Sequence, residues 1–355
     1  MTLKEFSESL GAFYCKDDEV GKIKSLETLL STVESYFFTE YDKIIFDEFK
    51  AVKYKSNLVA KDKKSVLRSE LKMQIDDLNK LITNALAYGN IDGKKKFYDL
   101  FFKSDGKLKN KKYGFIIDRK KYFFRMRGAD SYRVYNRMEL FQMPETIIRL
   151  IGKQRFNQDG IPCLYLGESL YCAWEEVRRK NFEQVNFAGF QNTKELMVFD
   201  LTIKPTLLKK EDFILAYFAL LVSGKVVDSD AHKFQYDVSN LIMDVLQASV
   251  SKKGDVDGIR YMSSRRFDGV ELKIADTSRM YGYVFPPKGN LNANRLDKWM
   301  RDTFMLTEPR SSFMYDIHRI NLDRTRTAIT CNYKNTLFYA LEEQLKKETY
   351  DYCDK

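Results

Sequence analysis

Apolar side chains recur every three or four positions in two long stretches near the start of the chain. The first stretch runs from Leu26 to Phe49, and the second runs from Leu67 to Leu86 and is followed by Gly89. This spacing places the apolar residues on one face of a helix, and glycine commonly follows a helix end. The basic stretch between them, KYKSNLVAKDKKS, is typical of an exposed linker. We therefore predict an all-helical N-terminal domain over residues 1–110.

The pattern changes after Lys112. Short aromatic and β-branched runs bounded by Gly, Pro, Asn and Asp are typical of strands; they are YGFIID, KYFFRMR, PCLYLG, LMVFDLTIKP and GIRYMSS. Helical spacing interrupts them at residues 170–180, 213–223 and 234–250. Because strands outnumber helices and do not alternate with them, residues 111–286 are predicted to form an α+β domain with a mixed sheet.

The segment after this domain carries a strand-like run, RTAIT, and a terminal amphipathic helix, NTLFYALEEQLKK. We predict that residues 287–355 form a C-terminal extension packed on the α+β domain. At 355 residues and 44% hydrophobic, the chain can bury a large core.

Targeting and redox features are sparse. The N-terminus lacks a basic segment followed by an apolar run, and nowhere do about 18 apolar residues occur without charges, so we expect no export and no membrane span. The five cysteines are scattered and form no C-x-x-C pair. Neither a disulfide framework nor a zinc site is indicated, and a reducing cytoplasm is expected.

The charge of +10 is unevenly distributed. Residues 1–50 contain 6 basic and 11 acidic side chains, whereas residues 111–155 contain 12 basic and 4 acidic side chains. A basic excess suits nucleic acid, a ligand that bears phosphates, or solubility alone.

Several common catalytic motifs are absent. The chain has no G-x-G-x-x-G after a strand, no G-x-x-x-x-G-K-[ST] and no G-x-S-x-G. His232 and His318 are its two histidines, so histidine chemistry and a multi-histidine metal site are not expected. Any chemistry must therefore use carboxylate, arginine, hydroxyl and tyrosine groups.

Residues 153–179, KQRFNQDGIPCLYLGESLYCAWEEVRR, concentrate these groups. PCLYLG is predicted to be a strand, and Ser169 is a good N-cap for a helix that starts at Leu170. Neighbouring residues on a helix are separated by about 100°. This geometry places Glu176 beside the apolar stripe of the helix and turns Glu175 towards solvent.

A carboxylate at the edge of a core is costly unless it is paired or used in chemistry. Two explanations of Glu176 stay open on the residues alone. One is an ordinary ion pair with Arg155, and the other is a functional site that also includes Tyr165 of the predicted strand.

The same stretch resembles the signature of the RES family, bacterial NAD-consuming toxins named for their Arg, Glu and Ser residues. The resemblance rests on RFN at 155–157, GIP at 160–162, LYL at 164–166, Ser169, and EV at 176–177. It implies that the family's arginine, tyrosine and glutamate are Arg155, Tyr165 and Glu176.

Two flanking strings extend the resemblance to about residues 125–276. YFFRMR resembles the family's first strand and implies a second phosphate-binding arginine at Arg125. DGIRYMSS resembles the strand that delivers the family's serine, Ser263 or, as the alternative, Ser264. Where many members have an asparagine eight residues after that serine, this chain has Glu271.

The family is similar in fold to ADP-ribosyltransferases, so the resemblance implies an enzyme that cleaves the nicotinamide–ribose bond of NAD. Catalysis is then assigned to Glu176, Arg155, Tyr165 and Ser263, and NAD binding to Arg125, Arg155, Tyr165, Ser169 and Ser264. No metal and no cofactor beyond NAD as substrate is implied. Water or inorganic phosphate is the expected acceptor, and the role is that of a toxin or abortive-infection effector.

Partners and alternatives remain open at this level. Family members commonly pair with a helix-turn-helix antitoxin, so a cognate antitoxin is expected, and a homo-oligomer is left open. The first alternative function is an ADP-ribosyltransferase that modifies protein or nucleic acid. The second is a basic nucleic-acid-binding module without catalysis, which uses residues 111–155. The N-terminal helices could sense a trigger, bind an antitoxin, or only stabilise the chain.

Overall fold

The computed structural model describes residues 1–12, 23, 25–55, 57–87, 90–129, 133–142, 154–157, 161–178, 180, 184–204, 207–223, 234–252, 254–263, 280–289, 296–311 and 333–355. The helices are α1 (Leu3–Ala12), α2 (Leu26–Asp42), α3 (Ala60–Leu86), α4 (Ile91–Phe101), α5 (Arg137–Leu140), α6 (Leu170–Glu176), α7 (Lys210–Ser223), α8 (Phe234–Ser251), α9 (Lys298–Thr303) and α10 (Leu337–Leu345). The strands are β1 (Gly114–Ile117), β2 (Tyr122–Gly128), β3 (Leu164–Gly167), β4 (Val185–Asn192), β5 (Leu196–Leu201), β6 (Gly258–Met262), β7 (Tyr281–Phe285), β8 (Phe304–Leu306) and β9 (Arg310–Ser311).

The chain divides into two compact units. The first contains Met1–Tyr113 and Leu201–Lys252, and the second contains Gly114–Asp200 and Lys253–Lys355. Residues 201–252 therefore cluster with the N-terminal helices, although the sequence pattern assigned them to the α+β segment. The segment from residue 253 onward, including the described part of the C-terminal extension, belongs to the second unit.

The first unit is built around α7. This helix is buried on all sides, so it needs partners around its whole circumference. The amphipathic helices α2 and α3 contribute such partners: the Tyr217 ring packs edge-on against Phe37 with centroids 5.6 Å apart. The Tyr217 hydroxyl also donates a 2.9 Å hydrogen bond to Asn79 Oδ1. This demand for an apolar environment explains why α7 joins the N-terminal helices.

In the second unit, the described strands form one sheet in the order β1-β5-β6-β7-β3-β2-β4-β8, and β9 pairs with β4. The prediction of an α+β fold is confirmed. The strand pairs whose register is defined are all antiparallel, where a mixed sheet was predicted. The predicted strand RTAIT lies outside the described residues.

Two central strands, β4 and β7, were not predicted from the sequence. Each contains a glycine in its interior, which weakens a strand pattern. Both glycines are required by close contacts, because a Cβ on Gly189 would lie 2.5 Å from the Tyr350 hydroxyl and one on Gly282 would lie 2.4 Å from the Tyr261 ring.

Helices α6 and α10 cover one face of this sheet. They form one apolar cluster with β2 and β4, which includes Leu170, Trp174, Phe338, Phe124 and Phe187. The rings of Trp174 and Phe338 lie 5.4 Å apart. Among the helices of the described ranges, none has the length and hydropathy needed to cross a membrane.

Candidate active site

Helix α6 carries Glu176 at its last residue. The prediction that Glu175 faces solvent and Glu176 lies at the buried edge is wrong, because Glu175 is only 1% exposed and Glu176 is exposed. Phe338 of α10 packs against Tyr171, which lies one turn before Glu175, so α10 covers a side of α6 that the sequence pattern left to solvent. The helix then ends beyond Glu176, where Arg178 adopts a left-handed conformation with φ 61°. The Glu176 carboxylate is therefore exposed at the end of the helix.

The Glu176 carboxylate is held by a serine from a distant strand. Ser263 follows β6, is 1% exposed, and donates a 2.6 Å hydrogen bond from its hydroxyl to Glu176 Oε1. The Ser263 backbone N–H donates to the Met280 carbonyl at 3.0 Å, which fixes this serine to β7. Among the described residues, Glu176 therefore accepts from Ser263 and forms no ion pair with Arg155. Ser264 lies outside the described residues.

Strands β2 and β3 separate beside this pair. Their register contains one pair, Phe124 with Gly167, whereas β2 pairs with β4 along its whole length. Where the backbone pairing of β2 with β3 stops, the Arg125 side chain connects the two strands. Its Nη1 donates a 2.8 Å hydrogen bond to the Tyr165 carbonyl. Burial, and then the nearby Arg127, lower the pKa of Arg125 to about 9, so the guanidinium keeps its charge at neutral pH.

Arg155 lies on a tight turn that Tyr165 holds in place. The turn is closed by a 3.0 Å hydrogen bond from the Gln154 N–H to the Asn157 carbonyl. The Tyr165 hydroxyl donates to Asn157 Oδ1 at 2.7 Å and accepts the Phe156 N–H at 3.2 Å. The structure thus joins Tyr165 to the turn of Arg155 through two hydrogen bonds. No role was predicted for Asn157 and Phe156 from the sequence, although both belong to the RFN string.

Tyr261 packs against Phe156 of this turn, and no role was predicted for it from the sequence. Its ring lies 4.7 Å from that of Phe156, measured between centroids. It occupies β6 two residues before Ser263, so both side chains project from the same face of the strand. This alternation is the signal in the sequence that could have identified it.

The other end of α6 is anchored in the core. Ser169 is fully buried, and its hydroxyl accepts the Cys172 N–H at 3.0 Å as the helix N-cap. Glu342 of α10 is 1% exposed and accepts the Leu170 N–H at 2.7 Å. It also accepts a hydrogen bond from the Tyr333 hydroxyl. We assign Ser169 to the helix cap, because its buried side chain offers no surface to a ligand.

Many basic side chains of residues 111–155 have partners inside the second unit. Arg137 Nη1 lies 2.8 Å from Glu308 Oε1. Further contacts join Lys121 to Glu168, Arg133 to Glu139, and Arg127 to the Glu139 carbonyl. Part of the basic excess therefore forms intramolecular ion pairs.

The described part of the chain contains no cluster of side chains suited to bind a metal ion, and its cysteines are buried. No group of three or more His, Cys, Asp or Glu side chains is arranged there to hold a metal ion. Cys163, Cys172 and Cys353 are free and buried. His232, His318 and Glu271 lie outside the described residues.

Comparisons with known proteins bear on this arrangement. The chain is 24% identical over 218 residues to the protein named "Putative toxin YopC" of Bacillus subtilis (strain 168), an alignment that covers 56% of this chain and 48% of that protein. The chain thus spans about half the length of this relative.

A solved structure is also similar, the M.tuberculosis MbcT-MbcA toxin-antitoxin complex, with a TM-score of 0.32 and 13% identity over 66% of this chain and 93% of that chain. A TM-score of this size supports no conclusion about the present chain. The family model of the RES domain matches residues 125–275, which include Arg125, Arg155, Tyr165, Glu176 and Ser263. The resemblance predicted from the motifs is confirmed, because residues 125–275 of this chain match the RES domain model.

Proposed function

We propose that this protein is an NAD-degrading enzyme that breaks the bond between nicotinamide and ribose in NAD+. We further propose that its second unit has an ADP-ribosyltransferase-like architecture and that water or inorganic phosphate accepts the ADP-ribose. The observation that carries this proposal is the exposed Glu176 carboxylate, fixed by the 2.6 Å hydrogen bond from the buried Ser263 hydroxyl. A single oriented carboxylate at an open position is the group that this reaction needs.

The chemistry explains why one carboxylate suffices. Nicotinamide is attached to ribose as a cationic pyridinium, so it leaves as a neutral molecule when the C–N bond breaks and its ring nitrogen keeps the electron pair. No general acid is required. Positive charge develops on the ribose, and a negative side chain beside it stabilises that transition state. Attack by water then forms a C–O bond and releases one proton.

Two arginines are proposed to bind the diphosphate. The planar guanidinium gives forked, charge-assisted hydrogen bonds to phosphate oxygens, which suits Arg155 on its turn and Arg125 at the split of β2 and β3. The Tyr165 hydroxyl supports this role by holding the Arg155 turn through Asn157 and Phe156. The Tyr165 ring remains a candidate to lie against the nicotinamide or ribose.

The biological role is proposed to be that of a toxin. RES membership and the name of the Bacillus relative support this role. A toxin that consumes NAD needs restraint in its own host, so we propose a cognate antitoxin as partner and the cytoplasmic NAD pool as target. The internal ion pairs of residues 111–155 reduce the need to invoke nucleic acid as an explanation of their charge.

The direct test is to incubate the purified chain with NAD, with and without phosphate, and to measure NAD and nicotinamide over time. We expect NAD loss with stoichiometric nicotinamide release, and we expect Arg155→Ala to weaken NAD binding. Intact NAD under both conditions would contradict the proposal. Transfer of label from NAD onto added protein or nucleic acid would instead identify an ADP-ribosyltransferase.

A further inference from the structure

Tyr261 is a buried tyrosine that the proposed reaction has not yet used. It is 3% exposed and lies on the face of β6 that also presents Ser263. Ser263 is engaged with Glu176 through its hydroxyl. By contrast, the Tyr261 hydroxyl makes no hydrogen bond to any residue in the described ranges.

The Tyr261 ring occupies the space in which a side chain at position 282 would lie. Tyr261 stands opposite Gly282 in the register of β6 and β7. A Cβ at Gly282 would lie 2.4 Å from Tyr261 Cζ and 2.6 Å from its hydroxyl oxygen, so any larger residue would displace the ring. Gly282 pairs in turn with Gly167 of β3. The tyrosine therefore crosses β7 over a glycine, and its hydroxyl end points away from β6 towards β3 and α6.

The neighbours of the hydroxyl are the residues of the proposed site. Phe156, whose ring is tilted by 48° against that of Tyr261 with centroids 4.7 Å apart, is adjacent to Arg155. Burial, followed by the negative charge of Glu176, raises the pKa of Tyr261 well above its usual range. The hydroxyl consequently stays protonated at neutral pH and remains a hydrogen-bond donor.

The Tyr261 hydroxyl is not among the fully enclosed side-chain atoms of the described ranges that lack a hydrogen-bond partner, so its oxygen keeps some accessible surface for a ligand to pair with. We propose that Tyr261 is a further substrate-contacting residue, whose hydroxyl donates a hydrogen bond to an oxygen of the nicotinamide-side ribose of NAD, between Glu176 and Arg155. This inference rests on the proposed function and assigns a contact within the same site. The ribose is favoured over the diphosphate because Tyr261 and Ser263 share one face of β6, and Ser263 holds the carboxylate.

The test is NAD binding by calorimetry to the Glu176→Gln protein, with and without Tyr261→Phe, in a background that does not consume the ligand. Loss of one neutral hydrogen bond should weaken NAD binding about fivefold. Binding of ADP, which lacks the second ribose, should not change. Because no protein partner is lost, Tyr261→Phe should not lower the melting temperature.

Tyr283→Phe is the matched control. Tyr283 is equally buried on β7, but its hydroxyl donates to Glu168 Oε2 at 2.5 Å. Removing that hydroxyl should lower the melting temperature by about 2–4 °C and leave NAD affinity unchanged.

Three outcomes would overturn the role of Tyr261 alone: equal NAD affinity with and without its hydroxyl, an equal loss for NAD and ADP, or a melting-temperature loss like that of Tyr283→Phe. Failure of the Glu176→Gln protein to bind NAD, together with intact NAD in the wild-type assay, would instead overturn the proposed function, and this inference with it.

Discussion

The two ends of α6 are held in opposite ways. Its first residues are enclosed in the core, where Ser169 caps the Cys172 N–H and Glu342 accepts the Leu170 N–H. Its last residue, Glu176, is exposed and is held by one hydrogen bond from Ser263. One short helix thus has an end that contributes to stability and an end that is available to a ligand.

This difference indicates which residues should affect stability and which should affect chemistry. Buried donors and acceptors are expensive to leave unpaired, whereas an exposed carboxylate can be altered at little cost to folding. Glu175 and Glu176 represent the two situations at adjacent positions, since one is 1% exposed and the other is exposed. Substitutions at the two ends of α6 should therefore have separable effects on stability and on activity.

The largest effect is expected at the exposed end. Glu176→Gln removes the negative charge beside the ribose and should reduce the rate of NAD cleavage by about 10²–10³-fold, the range found when one electrostatic contact to the transition state is lost. The melting temperature should stay close to that of the wild type. Glu175→Gln is the matched control, which should keep most of the activity and change the melting temperature more. Equal activity of the two variants would contradict the assignment of Glu176.

The buried end should respond in stability. Glu342→Ala leaves the Leu170 N–H and the Tyr333 hydroxyl without their acceptor and should lower the free energy of unfolding by about 2–4 kcal/mol. Denaturant unfolding measures this change. Glu342→Gln retains an amide oxygen that can accept both hydrogen bonds, so its loss should be clearly smaller. A stability of Glu342→Ala equal to that of the wild type would show that α10 does not anchor α6.

The anchoring by α10 also explains what the sequence could predict and what it could not. Strands β2, β3 and β6 and helix α6 follow from local patterns, and the resemblance selected Glu176 and Ser263, whose side chains meet although they are 87 positions apart. The exposure of Glu175 and Glu176 was reversed, because the helix that covers α6 lies near the C-terminus and local periodicity cannot reveal such a partner.

Two further features, the strands β4 and β7 and the grouping of residues 201–252, were not predicted from the sequence for similar reasons. The interior glycines of β4 and β7 hide those strands from a pattern based on side chains, although close contacts with Tyr350 and Tyr261 require them. The grouping of residues 201–252 with the N-terminal helices follows from the fully buried α7, whose partners lie far away in the sequence. Long-range packing, which a single sequence does not display, decided each of these features.

A smaller effect on rate is expected from the serine that orients Glu176. Ser263→Ala removes the 2.6 Å hydrogen bond but leaves the carboxylate in place, so the rate of NAD cleavage should fall about tenfold. Ser251→Ala, at an exposed serine of α8, serves as control and should retain the wild-type rate. If Ser264→Ala lowers the rate of NAD cleavage more than Ser263→Ala does, Ser264 and not Ser263 is the serine of the proposed site.

The smallest effect is expected from the tyrosine that holds the Arg155 turn. Tyr165→Phe keeps the ring but loses the hydrogen bonds to Asn157 and Phe156, so Arg155 is positioned less firmly. We expect the KM for NAD to rise about fivefold with little change in kcat, since the loss concerns binding rather than the reacting bond. Asn157→Ala breaks one of these two hydrogen bonds and should also raise the KM. The double variant should be no worse than Tyr165→Phe alone, because the tyrosine substitution already removes that contact. Additive effects on KM would show that Tyr165 acts on the substrate independently of the turn.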